Sequence, residues 1–156
     1  MKVLIALDES PVSTRAAQVA ADLFSGAGGQ FFVVNVVRLP APWVGATGFG
    51  PLTPVEPGTQ ALATIEEFGS RDEAEAQLAE RAAQAGVPGP RPTVRAGDPA
   101  TEICAVADEH DVDVIVVGSH DKTMLRRLID PSVAASVVRD THRPVLVVSG
   151  LAPAGQ

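Results

Sequence analysis

Four short stretches of this chain are apolar almost without interruption: Val3–Leu7, Phe31–Val37, Val112–Val117 and Val145–Val148. They are rich in β-branched residues and do not alternate with polar ones, which predicts strands covered on both faces, as in a parallel sheet. A fifth stretch, Arg91–Ala96, does alternate and predicts an edge strand. Helix signals lie between the strands. Ser10-Pro11 reads as an N-cap followed by proline at the first helical position, with Ala16, Ala20, Leu23 and Ala27 at helical spacing and Gly26, Gly28 and Gly29 as the stop. Asp98-Pro99 repeats that start ahead of Ile103, Val106, Ala107 and His110. Asp130-Pro131 gives it a third time ahead of Val133, Ala134, Val137 and Val138.

Residues 39–58 break the pattern. Nine of these twenty are Gly or Pro, which predicts an irregular, mobile loop. A helical segment follows over Thr59–Ala85, with a bend or break at Gly69-Ser70, and residues 150–156 read as a frayed tail outside a domain spanning 1–149. The order is β-α-β-loop-α-β-α-β-α-β. Strict alternation demands right-handed crossovers and a doubly wound α/β fold, a parallel sheet with helices on both faces. Such sheets bind ligands beyond the carboxyl ends of their strands, where strand order reverses. The positions to watch are therefore Asp8-Glu9-Ser10, Arg38 onward, Gly97-Asp98 and Gly118-Ser119-His120-Asp121.

Length and charge narrow the function classes. A chain of 156 residues makes one domain. With 12 Lys+Arg against 19 Asp+Glu its formal charge is −7, a poor start for binding nucleic acid or an anionic membrane surface. The amino-terminal apolar run is too short for a signal peptide and no stretch approaches a membrane span, so the chain reads as cytoplasmic. Cys104 is the one cysteine, which excludes an intramolecular disulfide and a multi-cysteine metal site.

At its strand ends the sequence resembles the universal stress protein family. Val3-Leu4-Ile5-Ala6-Leu7-Asp8-Glu9-Ser10 is similar to the family's first strand and acidic turn, and Gly97-Asp98-Pro99-Ala100-Thr101-Glu102-Ile103 to its Gly-Asp-Pro helix start. Val112-Asp113-Val114-Ile115-Val116-Val117-Gly118-Ser119 resembles its fourth strand and Arg143-Pro144-Val145-Leu146-Val147-Val148 its last. The resemblance implies a five-stranded parallel sheet in the order 3-2-1-4-5, usually a homodimer, with the switch point between strands 1 and 4 bringing Asp8 and Gly118 to one crevice.

The ATP-binding branch of that family carries Gly-x2-Gly-x9-Gly-Ser/Thr after its fourth strand, where glycine amides and a helix amino terminus close on phosphates. In this chain the register reads Gly118, Asp121, Pro131, Ser132. Asp121 adds negative charge, Pro131 has no N–H, and Asp130 as N-cap would occupy the helix amides a phosphate needs. Lys122, Arg126, Arg127 and His120 offer compensating cations. ATP binding is therefore expected to be weakened or absent, while AMP or adenosine still fits the crevice. The resemblance assigns Asp8, Val36, Gly118, Ser119, His120, Ser132 and Val133 to a nucleotide site, Val36 through its backbone against the base.

Each candidate also has a plain structural role: Asp8 as a turn carboxylate, Val36 as sheet core, Ser132 in a first helical turn. Gly118-Ser119 reads as a ligand-facing turn. His120-Asp121 beside Ser119 makes no triad, because adjacent residues cannot converge in one relay. His110 and His142 read as structural or solvated, Cys104 as a small buried hydrophobe, and Arg71-Asp72-Glu73-Ala74-Glu75 as a solvated helix face. Trp43 and Phe49, in the Gly/Pro-rich loop, either fold back or close on a ligand or partner. No nucleophile has a separated base, so the chain is expected to bind rather than catalyse, slow ATP hydrolysis aside. Three readings result: a homodimer, paired through the Val145–Val148 edge, that acts on a protein partner with little triphosphate affinity; an adenine-nucleotide-binding regulator; and, weakest, a phosphoacceptor at Asp8-Glu9, which lacks the central Asp and the trailing Lys that such a domain needs.

Overall fold

The computed structural model describes residues 1–38, 69–119 and 132–150. Five strands, β1 (Lys2–Ala6), β2 (Gln30–Val37), β3 (Arg91–Ala96), β4 (Val114–Ser119) and β5 (Val145–Ser149), form one sheet. The order is β3-β2-β1-β4-β5 and every pairing is parallel, as the resemblance implied. The weakly patterned Arg91–Ala96 is an edge strand, and Val145–Ser149 is the opposite edge. Helices α1 (Pro11–Phe24), α2 (Arg71–Gln84), α3 (Pro99–Glu109) and α4 (Val133–Asp140) cover the two faces.

Alternate residues of each strand feed alternate cores. Val3, Ile5, Phe31, Val33 and Val116 face α1 and α2, while Leu4, Phe32, Val34, Ile115 and Val117 face α3 and α4. Because both sets are apolar, these strands lack the polar alternation of a one-faced sheet. The α1 interface is made of small residues: Ala16, Ala17 and Ala20 are fully buried. The spacing that linked Ala16 and Ala20 to Leu23 and Ala27 is corrected, since Leu23 is exposed and Ala27 lies in a 3-10 turn over Ser25–Ala27. The buried stripe keeps Ala16 and Ala20 and continues through Ala17 and Ala21, one position round the helix, rather than to Leu23.

Two helix starts follow the local rule. Ser10 and Asp98 cap α1 and α3 through bonds from the Ser13 and Thr101 amides, each ahead of proline. At Gly69-Ser70, where the sequence suggested a bend or break, a helix starts: Gly69 has φ +91° and Ser70 caps α2 in a reciprocal box with Glu73. The third start differs from expectation. Ser132, not Asp130, caps α4, its hydroxyl accepting from the Ala135 N–H at 3.2 Å. With a serine already capping the first turn, an aspartate cap two residues earlier is redundant.

The run Arg71–Glu75 is more than a solvated face, because Glu73 closes the capping box and Glu75 accepts from the Val94 amide of β3. His110 ends α3 and stacks on Phe32 with ring centroids 4.4 Å apart. Cys104 is half-buried against the second core, and burial pushes its thiol pKa up. The loop 39–58 with Trp43 and Phe49, residues 59–68 of the expected helix, and residues 151–156 of the tail lie outside the described residues.

Candidate functional site

At the carboxyl end of β1 the chain turns through Asp8–Ser10 into α1, and a compact hydrogen-bond knot sets that turn. The Asp8 carboxylate accepts from the Ser10 N–H at 2.8 Å and from the buried Ser13 hydroxyl at 2.6 Å, and the Asp8 N–H donates to Ser13 Oγ at 3.2 Å. Ser10 in turn caps α1. Asp8 is therefore held in one orientation at the switch point between β1 and β4. It is both a turn carboxylate and a cavity wall.

The neighbouring strand end is shaped by Asn35. Leu7 N–H still donates to Val34 C=O at 2.9 Å, but the Leu7 carbonyl accepts from Asn35 Nδ2 at 2.8 Å. In a parallel ladder the next bond would run from the Val36 N–H to that carbonyl. The Asn35 side chain has taken the place. Peptide groups alternate sides along a strand, so those of Val36 point as those of Val34 do, toward the gap beyond β1. Among the described residues neither the N–H nor the C=O of Val36 has a partner there.

Across the gap, Gly118 and Ser119 belong to β4, paired with Val148 and Ser149, rather than to the ligand-facing turn expected of them. The reason for glycine is a backbone approach. A Cβ at Gly118 would lie 3.0 Å from the carbonyl of Val12 and 3.1 Å from the Ser13 nitrogen, because the first turn of α1 crosses directly over it. Ser119 is buried, and its carbonyl accepts from Gly150 N–H.

These elements enclose a cavity of about 330 Å³ whose walls include Asp8, Val36, Gly118, Ser119, Ser132 and Val133. Six of the seven residues singled out in the sequence thus meet at one place; the seventh, His120, lies outside the described residues with Asp121, Lys122, Arg126, Arg127, Asp130 and Pro131. Pro99 and Ile103 of α3 supply an apolar wall, and Arg38 is the cation of the described lining. Hydrogen bonds from the Thr101 N–H and hydroxyl hold the Asp98 carboxyl below the usual carboxylate range, and the Arg38 charge adds to them. Among the described residues no group of three His, Cys, Asp or Glu side chains is placed to hold a metal ion.

Three members of the site carried weak sequence signals. Asn35 is a polar interruption of an apolar run, Arg38 follows that run directly, and Ser13 stands five residues after Asp8 with nothing local to link them. Only the turn brings the Ser13 hydroxyl onto the carboxylate.

Comparison with known proteins agrees with this architecture. The universal stress protein family model matches residues 1–149. Universal stress protein MJ0531 of Methanocaldococcus jannaschii is 32% identical, over 94% of this chain and 81% of the relative. A universal stress protein solved in complex with cAMP superposes with a TM-score of 0.64 at 19% identity, covering 95% of this chain and 96% of that one. The universal stress protein of Archaeoglobus fulgidus in complex with dAMP superposes with a TM-score of 0.57 at 21% identity, covering 95% and 97%.

Proposed function

We propose that this chain, which belongs to the universal stress protein family, is a stress-associated homodimeric binding protein whose switch-point cavity takes an adenine nucleoside monophosphate in preference to ATP. The observation that carries the reading is the open peptide edge of Val36 in a cavity also walled by Asp8, Gly118, Ser119, Ser132 and Val133. One donor and one acceptor side by side complement the N1 and 6-amino groups of adenine, whereas guanine presents the reverse order. Pro99 and Ile103 offer apolar surface to the base. Two proteins of the same fold were solved with cAMP and with dAMP, both adenine monophosphates.

Selection against the triphosphate rests on Asp121 and Pro131, which replace two glycines of the phosphate loop with a charge and a residue lacking N–H. With Ser132 as the cap of α4, the carboxylate of Asp130 is no longer part of that argument. The reading is one of binding: the hydroxyls of Ser10, Ser13 and Ser132 in the cavity serve in caps and turns. Among the described residues no helix is long and apolar enough to cross a membrane, in keeping with a cytoplasmic role.

Calorimetric titration of nucleotide-free protein tests the reading. AMP should release heat, Mg-ATP should bind at least tenfold more weakly, and GMP should be silent. Tighter binding of ATP than of AMP would overturn the selectivity, and silence from all three would overturn the nucleoside site.

A further inference from the structure

A second cavity lies on the opposite face of the sheet, between α2 and the carboxyl ends of β2 and β3, and the nucleoside reading makes no use of it. Its volume of about 450 Å³ is within the range of small-molecule sites. Val37, Leu78 and Val94 provide an apolar floor, and Arg81 is the cation of the described lining. Asp8, Ser10 and Asn35 are shared with the first cavity, but the floor and the cation are not.

Arg81 is poorly served for a guanidinium in such a place. Its side chain is only 29% exposed, yet its ion-pair partner among the described residues is Glu9, a single contact at 3.4 Å to a side chain that is 89% exposed. Guanidinium presents a planar fork of donors that matches a carboxylate held by two parallel bonds. A long, one-point contact to a solvated glutamate leaves that capacity unused. An exposed pair of this kind is worth little and is readily exchanged.

We propose that this cavity binds a short aliphatic carboxylate, whose anionic group takes the Arg81 fork in place of Glu9 and whose hydrocarbon lies on Val37, Leu78 and Val94. Glu9 then turns to water, where most of its surface already is. The other carboxylate of the described lining, Asp8, is tied to the Ser10 N–H and the Ser13 hydroxyl, so an alkylammonium of the same shape meets Arg81 as a like charge and binds more weakly than the carboxylate. The proposal does not rest on the nucleoside reading, although the two cavities share Asp8, Ser10 and Asn35 as a common wall.

The test is an amide chemical-shift titration of the full chain with 4-methylpentanoate, with 3-methylbutylamine as the counter-probe. The carboxylate should move the amides of Val37, Leu78 and Val94 and leave Ile103 and Val133 in place. Arg81→Gln should weaken binding by about tenfold or more, because the charged fork is lost. Glu9→Gln should tighten it by about threefold, because the internal competitor is removed. A purely structural ion pair has no reason to give that gain, and the exposed Glu9 variant decides the matter even if Arg81→Gln fails to fold. Equal response to the amine, no response to the carboxylate, or a Glu9→Gln variant that binds no tighter would each overturn the proposal.

Discussion

Strands β3 and β5 are the two edges of one parallel sheet, and their outward peptide groups meet different surroundings. Successive residues of such a strand turn their N–H and C=O alternately inward and outward. Gly97 N–H donates to Val37 C=O, which makes Pro92, Val94 and Ala96 the outward residues of the β3 side. Pro92 has no donor, and the Val94 donor is taken by Glu75 at 3.2 Å. Arg95, paired with Glu109, adds charge nearby. In β5, Pro144 C=O accepts from Ile115 N–H and Gly150 N–H donates to Ser119 C=O, so Val145, Val147 and Ser149 face outward. Among the described residues their outward groups have no partner, and Val147 is exposed. Proline, charge and a covering carboxylate are the usual means by which a sheet edge is closed to pairing. The β3 edge has all three; Val145–Ser149 has none within the strand, which supports the proposed homodimer in which a twin copy adds an antiparallel strand to β5 about a two-fold axis.

The largest effect should come from Val147→Pro. It deletes an outward donor without touching the β4 ladder, so the monomer should fold while sedimentation equilibrium at micromolar concentration shows the proposed dimer gone. A variant that stays dimeric would place the interface elsewhere. Next is Arg143→Ala at the foot of β5. Arg143 ties Asp108, Asp111 and the Val112 carbonyl to the start of that strand, and the pairing with Asp108 raises its pKa. Its loss should lower the urea midpoint more than any other change in this series and leave the isolated dimer contact chemically intact.

Glu75→Ala opens the β3 edge by uncovering the Val94 N–H. The cost should be about 1 kcal/mol in urea denaturation, the worth of one hydrogen bond to a partly buried donor. Because Pro92 still interrupts that edge, the oligomeric state should not change; new higher-order assembly would show that Glu75 is what blocks it. The smallest effect concerns Asp98, which caps the helix that follows β3. Its carboxyl pKa is depressed by the Thr101 hydrogen bonds. The cap's charged-state contribution is therefore complete above the ordinary aspartate range and fades as pH falls below that range through the depressed value. Asp98→Asn keeps a capping side chain and should flatten the acid limb of the stability curve without altering stability much at neutral pH.

The fold was legible because its signals are local. Ser10-Pro11 and Asp98-Pro99 combine a capping side chain with a ring that pre-sets the helical φ, and nothing distant is needed to read them. Asp130-Pro131 carries the same signal two residues too early: two capping residues stand within three positions, and a local rule cannot choose between them. Leu23 kept helical spacing but not the buried face, since the rotation of α1 is set by how closely Ala16, Ala17 and Ala20 let it approach the sheet. Gly118 was legible as special but not for the right reason. Glycine after an apolar run looks like a turn, and only the packing of Val12 and Ser13 over β4 shows that a strand residue has to lack a side chain there.

By itself the sequence determined the alternation of strands and helices, hence a parallel sheet, its family, and the group of residues that gather at its switch point. The alternation and the parallel sheet follow from hydrophobic period, capping chemistry and chain connectivity, all properties of neighbouring residues, whereas the family and the switch-point residues rest on the resemblance of whole motifs. The tertiary structure alone decided that Asn35 takes the hydrogen bond Val36 would have made, that Ser13 locks Asp8, that Arg81 overhangs a second cavity, and that Glu75 closes one edge while the other stays open. Each of these is a contact between segments whose separation along the chain carries no energy until the fold brings their donors and acceptors within about 3 Å.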